Sequence, residues 1–234
     1  MASILKNLYG KLLSMFKKLC CHLRLKQKSA SGHYAWRNAY IIPCLFCILL
    51  CDCQTSKSVS STSTKRRALL THLEDPEVCA FLDMISYAEG TMSENGYRLI
   101  YSYEEFTSFN DHPRCIVCAQ SNGTKLCSSA AGRYQISQKE WDRIAGIIGA
   151  KDFSPLNQDC AAVFLLLCSG ALDALKTGNF SDAVNKVRKI WASMPDAPYN
   201  QPTKKEYELK TIYQKQLILH KNRLRHRNNG GDRP

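Results

Sequence analysis

The chain has 234 residues, 44% of them hydrophobic, enough to bury a sizeable core and to form one domain with appendages. Its formal charge of +12 is unevenly spread: residues 1–73 carry 12 Lys and Arg against one acid, residues 74–200 carry 11 basic and 16 acidic side chains, and residues 201–234 carry nine basic and three acidic. Basic ends on an acidic middle argue against a nucleic-acid-binding domain and direct the ends toward an anionic surface, a membrane or an anionic wall polymer.

Residues 1–38 form a basic leader. From Ile4 to Leu25, Leu8, Leu12, Met15, Phe16, Leu19 and Leu23 recur at helical spacing among Lys6, Lys11, Lys17, Lys18 and Arg24, the pattern of an amphipathic helix lying on a membrane surface. Residues 39–53 contain the uncharged run AYIIPCLFCILLC, 13 residues from Ala39 to Cys51. That is shorter than the roughly 20 residues of a transmembrane helix and matches a signal-peptide core. Export or membrane tethering is therefore expected, with membrane contact through residues 1–51; the alternative is a chain that stays cytoplasmic until lysis.

Residues 54–73 are read as a tether, because QTSKSVSSTST (Gln54 to Thr64) has no apolar period with which to bury a core. A folded domain is expected over residues 74–202. Asp75 and Pro76 give an N-cap carboxylate followed by proline at the first helical position. Val78, Phe81, Leu82, Ile85 and Ala88 then share one face, and Gly90 stops the helix. Glu94 to Gln135 loses helical period and reads as loops with a small hairpin. Helical pattern returns over Ser137–Ile148, Asn157–Leu175 and Ser181–Ala192. Residues 203–234 are expected to form a basic helix, Thr203 to Leu224, with a disordered tail from Arg225. The fold class is mainly α, with a small irregular or β lobe.

Six of the 12 cysteines lie in the N-terminal appendage and six in the domain. His112, Cys115, Cys118 and Cys127 make H-x2-C-x2-C-x8-C, a tolerable set of zinc ligands; in an exported domain the cysteines would instead pair, in a pattern that spacing does not reveal. No metal or cofactor is called for.

Glu89 follows Ile85 by four residues and Leu82 by seven, which puts its carboxyl on the buried face at the last turn of the first helix. Desolvation and the negative end of the helix dipole both disfavour its anion. A carboxyl kept protonated near neutral pH is what a glycosidase needs to protonate a leaving sugar oxygen. Position alone favours a solvated helix end.

The ordered set LDMISYAEGT (Leu82 to Thr91), GY (Gly96, Tyr97), FT (Phe106, Thr107), DHPR (Asp111 to Arg114), AGRYQ (Ala131 to Gln135), WD (Trp141, Asp142), KDFSP (Lys151 to Pro155), QD (Gln158, Asp159), GAL (Gly170 to Leu172) and IWASMP (Ile190 to Pro195) resembles the lambda phage endolysin family. The resemblance implies a lysozyme-like fold, in which a helical lobe and the small lobe flank a glycan cleft. It implies a lytic transglycosylase acting, as a monomer, on the β-1,4 bond between N-acetylmuramic acid and N-acetylglucosamine. Glu89 is then the catalytic acid, and Thr91, Tyr134, Gln135 and Tyr199 are expected to bind the glycan.

Such a mechanism needs one carboxyl group. A hydrolytic lysozyme needs a second, roughly 6.5 to 9.5 Å away for inversion or about 5 Å for retention, for which Glu94, Glu104, Glu105 and Asp111 are in the right lobe. A catalytically silent peptidoglycan-binding module is the rival outside enzymology, and the retained Glu89 argues against it. No G-x-S-x-G elbow surrounds Ser128 or Ser129, so serine nucleophile chemistry has no support.

Overall fold

The computed structural model describes residues 62–121 and 124–229. The basic leader, the apolar segment and residues 54–61 of the expected tether lie outside the described residues.

Helix α1 spans 62–72, so the expected tether is corrected from residue 62 onward. Leu69 supplies the apolar contact that the Ser/Thr-rich composition concealed: it is 2% exposed and packs in the core.

Helix α2, Pro76–Ala88, starts as its sequence dictates, with the Asp75 carboxylate accepting from the Glu77 N–H at 2.9 Å. Its face of Val78, Phe81, Leu82, Ile85 and Ala88 is buried. Helix α3, Gln138–Ile148, is capped by Ser137, and its end is set by Gly149 in the left-handed region. Helix α4, Pro155–Ser169, runs through the core with Cys160, Ala161, Ala162, Val163 and Leu166 fully buried. Gly170, at φ +77°, then separates it from α5, Ala171–Lys176. The single helix expected over Asn157–Leu175 is thus two helices, broken where glycine admits a left-handed turn. Helix α6, Phe180–Val187, is capped by Asn179 and ends five residues short of the expected Ala192.

Helix α7, Glu206–Asn229, corrects the domain boundary at 202 and the disordered tail from Arg225. Leu209 is fully buried, and Tyr213 meets Phe81 of α2 edge-on at 6.2 Å. The helix is therefore part of the core rather than an appendage, which its high charge had masked.

The small lobe consists of one antiparallel hairpin, β1 Val117–Ser121 with β2 Thr124–Ser128, and isolated bridges joining Leu99 to Glu105 and Ile100 to Ala131. Cys118 stands opposite Cys127 and is disulfide-bonded to it. Underneath, His112 and Trp141 each pack edge-on against Phe153 at 4.8 Å, joining the lobe to α3. No helix among the described residues is long and apolar enough to cross a membrane.

Candidate active site

Glu89 is the C-cap of α2. Its backbone N–H donates to the Ile85 carbonyl at 2.9 Å, and Gly90 follows at φ +73°, turning the chain away from the helix axis. This holds the carboxyl in the lining of a cleft of about 230 Å³ that also includes Leu126, Cys127 and Ser128 of β2. Trp191, Ala192 and Gln201 also line it, and Tyr101 and Gln135 contribute polar groups. Gln135, Ser137, Ile190 and Trp191 also line an adjoining hollow that continues to Glu140 and Lys189.

Burial pushes the Glu89 carboxyl up to about 7 from 4.5, against the opposing pull of hydrogen bonds from Ser193. The Ser193 hydroxyl donates to Oε1 of Glu89. At neutral pH a large share of the population is then a protonated acid, in a partly desolvated cleft.

The loop that carries Gln135 is fixed from below. Gly132 adopts φ +76°, and a Cβ on it would lie 2.1 Å from Oε1 of Gln158. That amide oxygen accepts from the Arg133 N–H at 2.9 Å, while its Nε2 donates to the Phe153 and Tyr97 carbonyls at 2.8 and 3.0 Å. Gln135 itself sits at φ +45°, and its amide Nε2 donates to the Leu99 and Gly132 carbonyls at 3.2 and 3.0 Å. A left-handed conformation at a non-glycine residue persists when surrounding contacts hold it.

Three of the four expected glycan-binding side chains lie outside this cleft. Thr91 is fully buried, its hydroxyl donating to the Arg133 carbonyl at 2.5 Å. Tyr134 is 2% exposed, with its hydroxyl donating to Asp159 at 2.7 Å. Neither side chain lines the cleft: both tie the Arg133 to Gln135 loop to the helices. Tyr199 is exposed, and its hydroxyl donates to the Lys189 carbonyl at 2.5 Å. Gln201, two residues further along the same PYNQ segment, is the one that reaches the cleft. Of the residues expected to make the site, the cleft brings Glu89 and Gln135 together and adds Tyr101, Ser137 and Gln201. Ser193 lies in the IWASMP motif and Gln201 two residues after the expected Tyr199; Tyr101 had no such signal.

The zinc reading is overturned by the same geometry. Cys118 and Cys127 are bonded to each other. His112 has both ring nitrogens engaged, accepting from the Arg114 N–H at 3.0 Å and bonding the Ile136 carbonyl at 2.9 Å. Among the described residues no group of His, Cys, Asp and Glu is arranged to hold a metal.

The carboxylates considered as partners for Glu89 are also elsewhere. Asp111 is salt-bridged to Arg114 at 2.8 Å and Glu105 accepts from Asn95 at 2.7 Å, while Glu94 and Glu104 are exposed and absent from the cleft wall.

Comparison with known proteins places this geometry in context. The family model Endolysin matches residues 79–218. The endolysin of Escherichia phage lambda is 40% identical over 128 residues, covering 52% of this chain and 79% of the relative. The endolysin of Escherichia phage P2 is 35% identical over 150 residues, covering 58% of this chain and 90% of the relative. Among solved structures, bacteriophage lambda lysozyme complexed with a chitohexasaccharide superposes with a TM-score of 0.57 at 36% identity, covering 61% of this chain and 94% of that one. A second structure, lysozyme from bacteriophage lambda, gives a TM-score of 0.51 at 32% identity, covering 63% of this chain and 94% of that one. The fold is therefore lysozyme-like.

Proposed function

The chain belongs to the endolysin family, and from that premise we propose that it cleaves the β-1,4 bond between N-acetylmuramic acid and N-acetylglucosamine of peptidoglycan as a lytic transglycosylase, with Glu89 as its catalytic acid. The observation that carries this reading is the state of one carboxyl: among the described residues lining the cleft around Glu89 there is no second Asp or Glu, and burial holds Glu89 near the pH at which it can both give and take a proton.

With the glycan seated, the Glu89 carboxyl protonates the glycosidic oxygen as the C1–O bond breaks, and positive charge develops on the muramic ring. The C6 hydroxyl of that ring attacks C1, and its proton passes to the Glu89 carboxylate. No water is consumed, the acid is regenerated, and the product carries a 1,6-anhydro end. Nucleophile and electrophile lie on one ring, so the second step has the entropic advantage of an intramolecular reaction.

Gln135, Tyr101, Ser137 and Gln201 line the groove with hydroxyl and amide groups suited to sugar hydroxyls and N-acetyl groups. Thr91 and Tyr134 act beneath them as supports, and Tyr199 lies outside this set. That a solved structure similar to this chain is of bacteriophage lambda lysozyme complexed with a chitohexasaccharide supports a groove that takes several linked sugars.

A hydrolytic lysozyme is the second reading, and Glu140 is its observation. This carboxylate lines the adjoining hollow, where Arg143 holds it in an ion pair. Glu89→Gln and Glu140→Gln separate the two readings when tested on purified peptidoglycan. A single-carboxyl mechanism loses activity roughly 10³-fold with the first substitution and keeps most of it with the second; equal losses would favour hydrolysis with Glu140 as base.

Residues 1–53 are the proposed export or tethering element that brings the domain to the cell envelope, on the strength of the basic leader and apolar core. Fractionation of the full chain tests this: recovery wholly in the cytosol before lysis would overturn it.

A further inference from the structure

We propose that Ser193 is a positioning residue for the cleavage reaction: its hydroxyl selects which oxygen of Glu89 carries the proton to the glycosidic bond and steadies the carboxylate while it waits to act as base. The inference rests on the reading of Glu89 as a lone acid that alternates with base, and extends it to a residue on the opposite segment of the chain.

The two groups come from elements 104 residues apart. Glu89 ends α2, and Ser193 lies in the turn after α6, between two buried anchors. Trp191 is 3% exposed and its indole N–H donates to the Tyr134 carbonyl at 2.8 Å; Met194 is fully buried. The Ser193 carbonyl accepts from the Lys204 N–H at 2.8 Å. A hydroxyl held this way is pre-organised, which a freely rotating loop serine would not be.

The chemistry follows from occupancy. The Ser193 hydroxyl donates to Oε1, and in this proposal the transferable proton sits on Oε2, the oxygen offered to the sugar. After transfer the same donor faces an anion, and its bond strengthens when the charge appears. A single carboxyl that must work in both directions gains from a partner that persists through both states.

Among the described residues, other titratable or charged groups are few at this spot. Tyr101 shares the cleft, Lys189 and Glu140 line the adjoining hollow, and Lys204, behind Ser193, faces the Tyr87 ring at 5.0 Å and Glu208 at 3.6 Å. Burial and the hydrogen bonds from Ser193 are the causes acting on Glu89.

The test is the pH–rate profile of Ser193→Ala and Ser193→Thr in the full chain, with Glu89→Gln beside them, on purified peptidoglycan. Ser193→Ala is expected to leave KM unchanged, to lower kcat at its optimum roughly ten-fold and to move the alkaline limb up by roughly one pH unit, because a lost donor disfavours the anion. Ser193→Thr restores both. An unmoved limb in Ser193→Ala, whether or not kcat falls, overturns the proposal, since a merely structural role lowers activity without moving the ionisation. Should the alanine variant fail to fold, Ser193→Cys, whose thiol is a weak donor, is read by the same limb. An inactive Glu89→Gln with an unmoved Ser193→Ala limb removes Ser193 alone; a fully active Glu89→Gln removes the reading of Glu89 as well.

Discussion

Glu89 carries the clearest consequences for pH. Its carboxyl rises from 4.5 in the unfolded chain to about 7 when folded, through desolvation, so the folded state binds the proton more tightly. The stabilisation linked to that proton is fully present below pH 4.5 and is lost as pH rises through 7. The difference amounts to roughly 3 kcal/mol once both states are ionised. Glu89→Gln removes the titration and keeps the volume, so its Tm is expected to exceed that of the natural chain at pH 8 and to approach it at pH 4; a constant offset across that range contradicts the burial of this carboxyl. Turnover of the natural chain is expected to fall roughly ten-fold per pH unit on the alkaline side of this ionisation, as the acid form is depleted. Sequence periodicity put Glu89 on the inner face of α2, because helical spacing fixes direction, while only the family resemblance weighed against a solvated helix end. It could not separate cleft wall from support at Thr91, Tyr134 and Tyr199: in a short loop the direction of a side chain depends on backbone dihedrals, such as the left-handed turns at Gly132 and Gln135, that no simple period encodes.

The Gly132 to Ile136 loop and the β1–β2 hairpin are the two elements that shape the cleft. Gly132→Ala adds a Cβ 2.1 Å from Oε1 of Gln158 at a φ of +76°. It is expected to cost roughly 2 to 3 kcal/mol in a denaturant titration and to lower activity by disturbing Gln135. The paired substitution Cys118→Ser and Cys127→Ser removes the cross-strand bond from a wall of the cleft. The expected loss is about 2 kcal/mol, with KM rising several-fold more than kcat falls, measured by denaturation and by initial rates on purified wall. Helices α2 and α3 were legible from the Asp75–Pro76 start and from the helical pattern over Ser137–Ile148. The break at Gly170 and the burial of α7 were not, since a glycine within an apolar run is compatible with a continuous helix and a basic helix can bury a narrow stripe such as Leu209 and Tyr213.

At the scale of the molecule, one core joins α1 through α7, and the charged C-terminal helix is as much part of it as the catalytic lobe. His220 bonds Asp83 at 2.8 Å, Asp83 is salt-bridged to Arg133 at 2.8 Å, and Arg133 precedes Tyr134 in the loop beside the cleft. Truncation before Glu206 is therefore expected to unfold the domain, exposing Phe81 and Phe180 where Tyr213 now covers them; a soluble, active fragment ending at residue 205 contradicts that account. The polarity of the chain, basic at both ends and acidic between, pointed to a domain in the middle but misjudged where the folded part stops, because charge reports on the solvent face and not on the buried one.

The most direct test of the central claim is mass spectrometry of the muropeptides released from purified peptidoglycan. A lone Glu89 acting as acid and then base predicts 1,6-anhydro-muramyl ends; free reducing muramic acid, or no release of muropeptides, contradicts it.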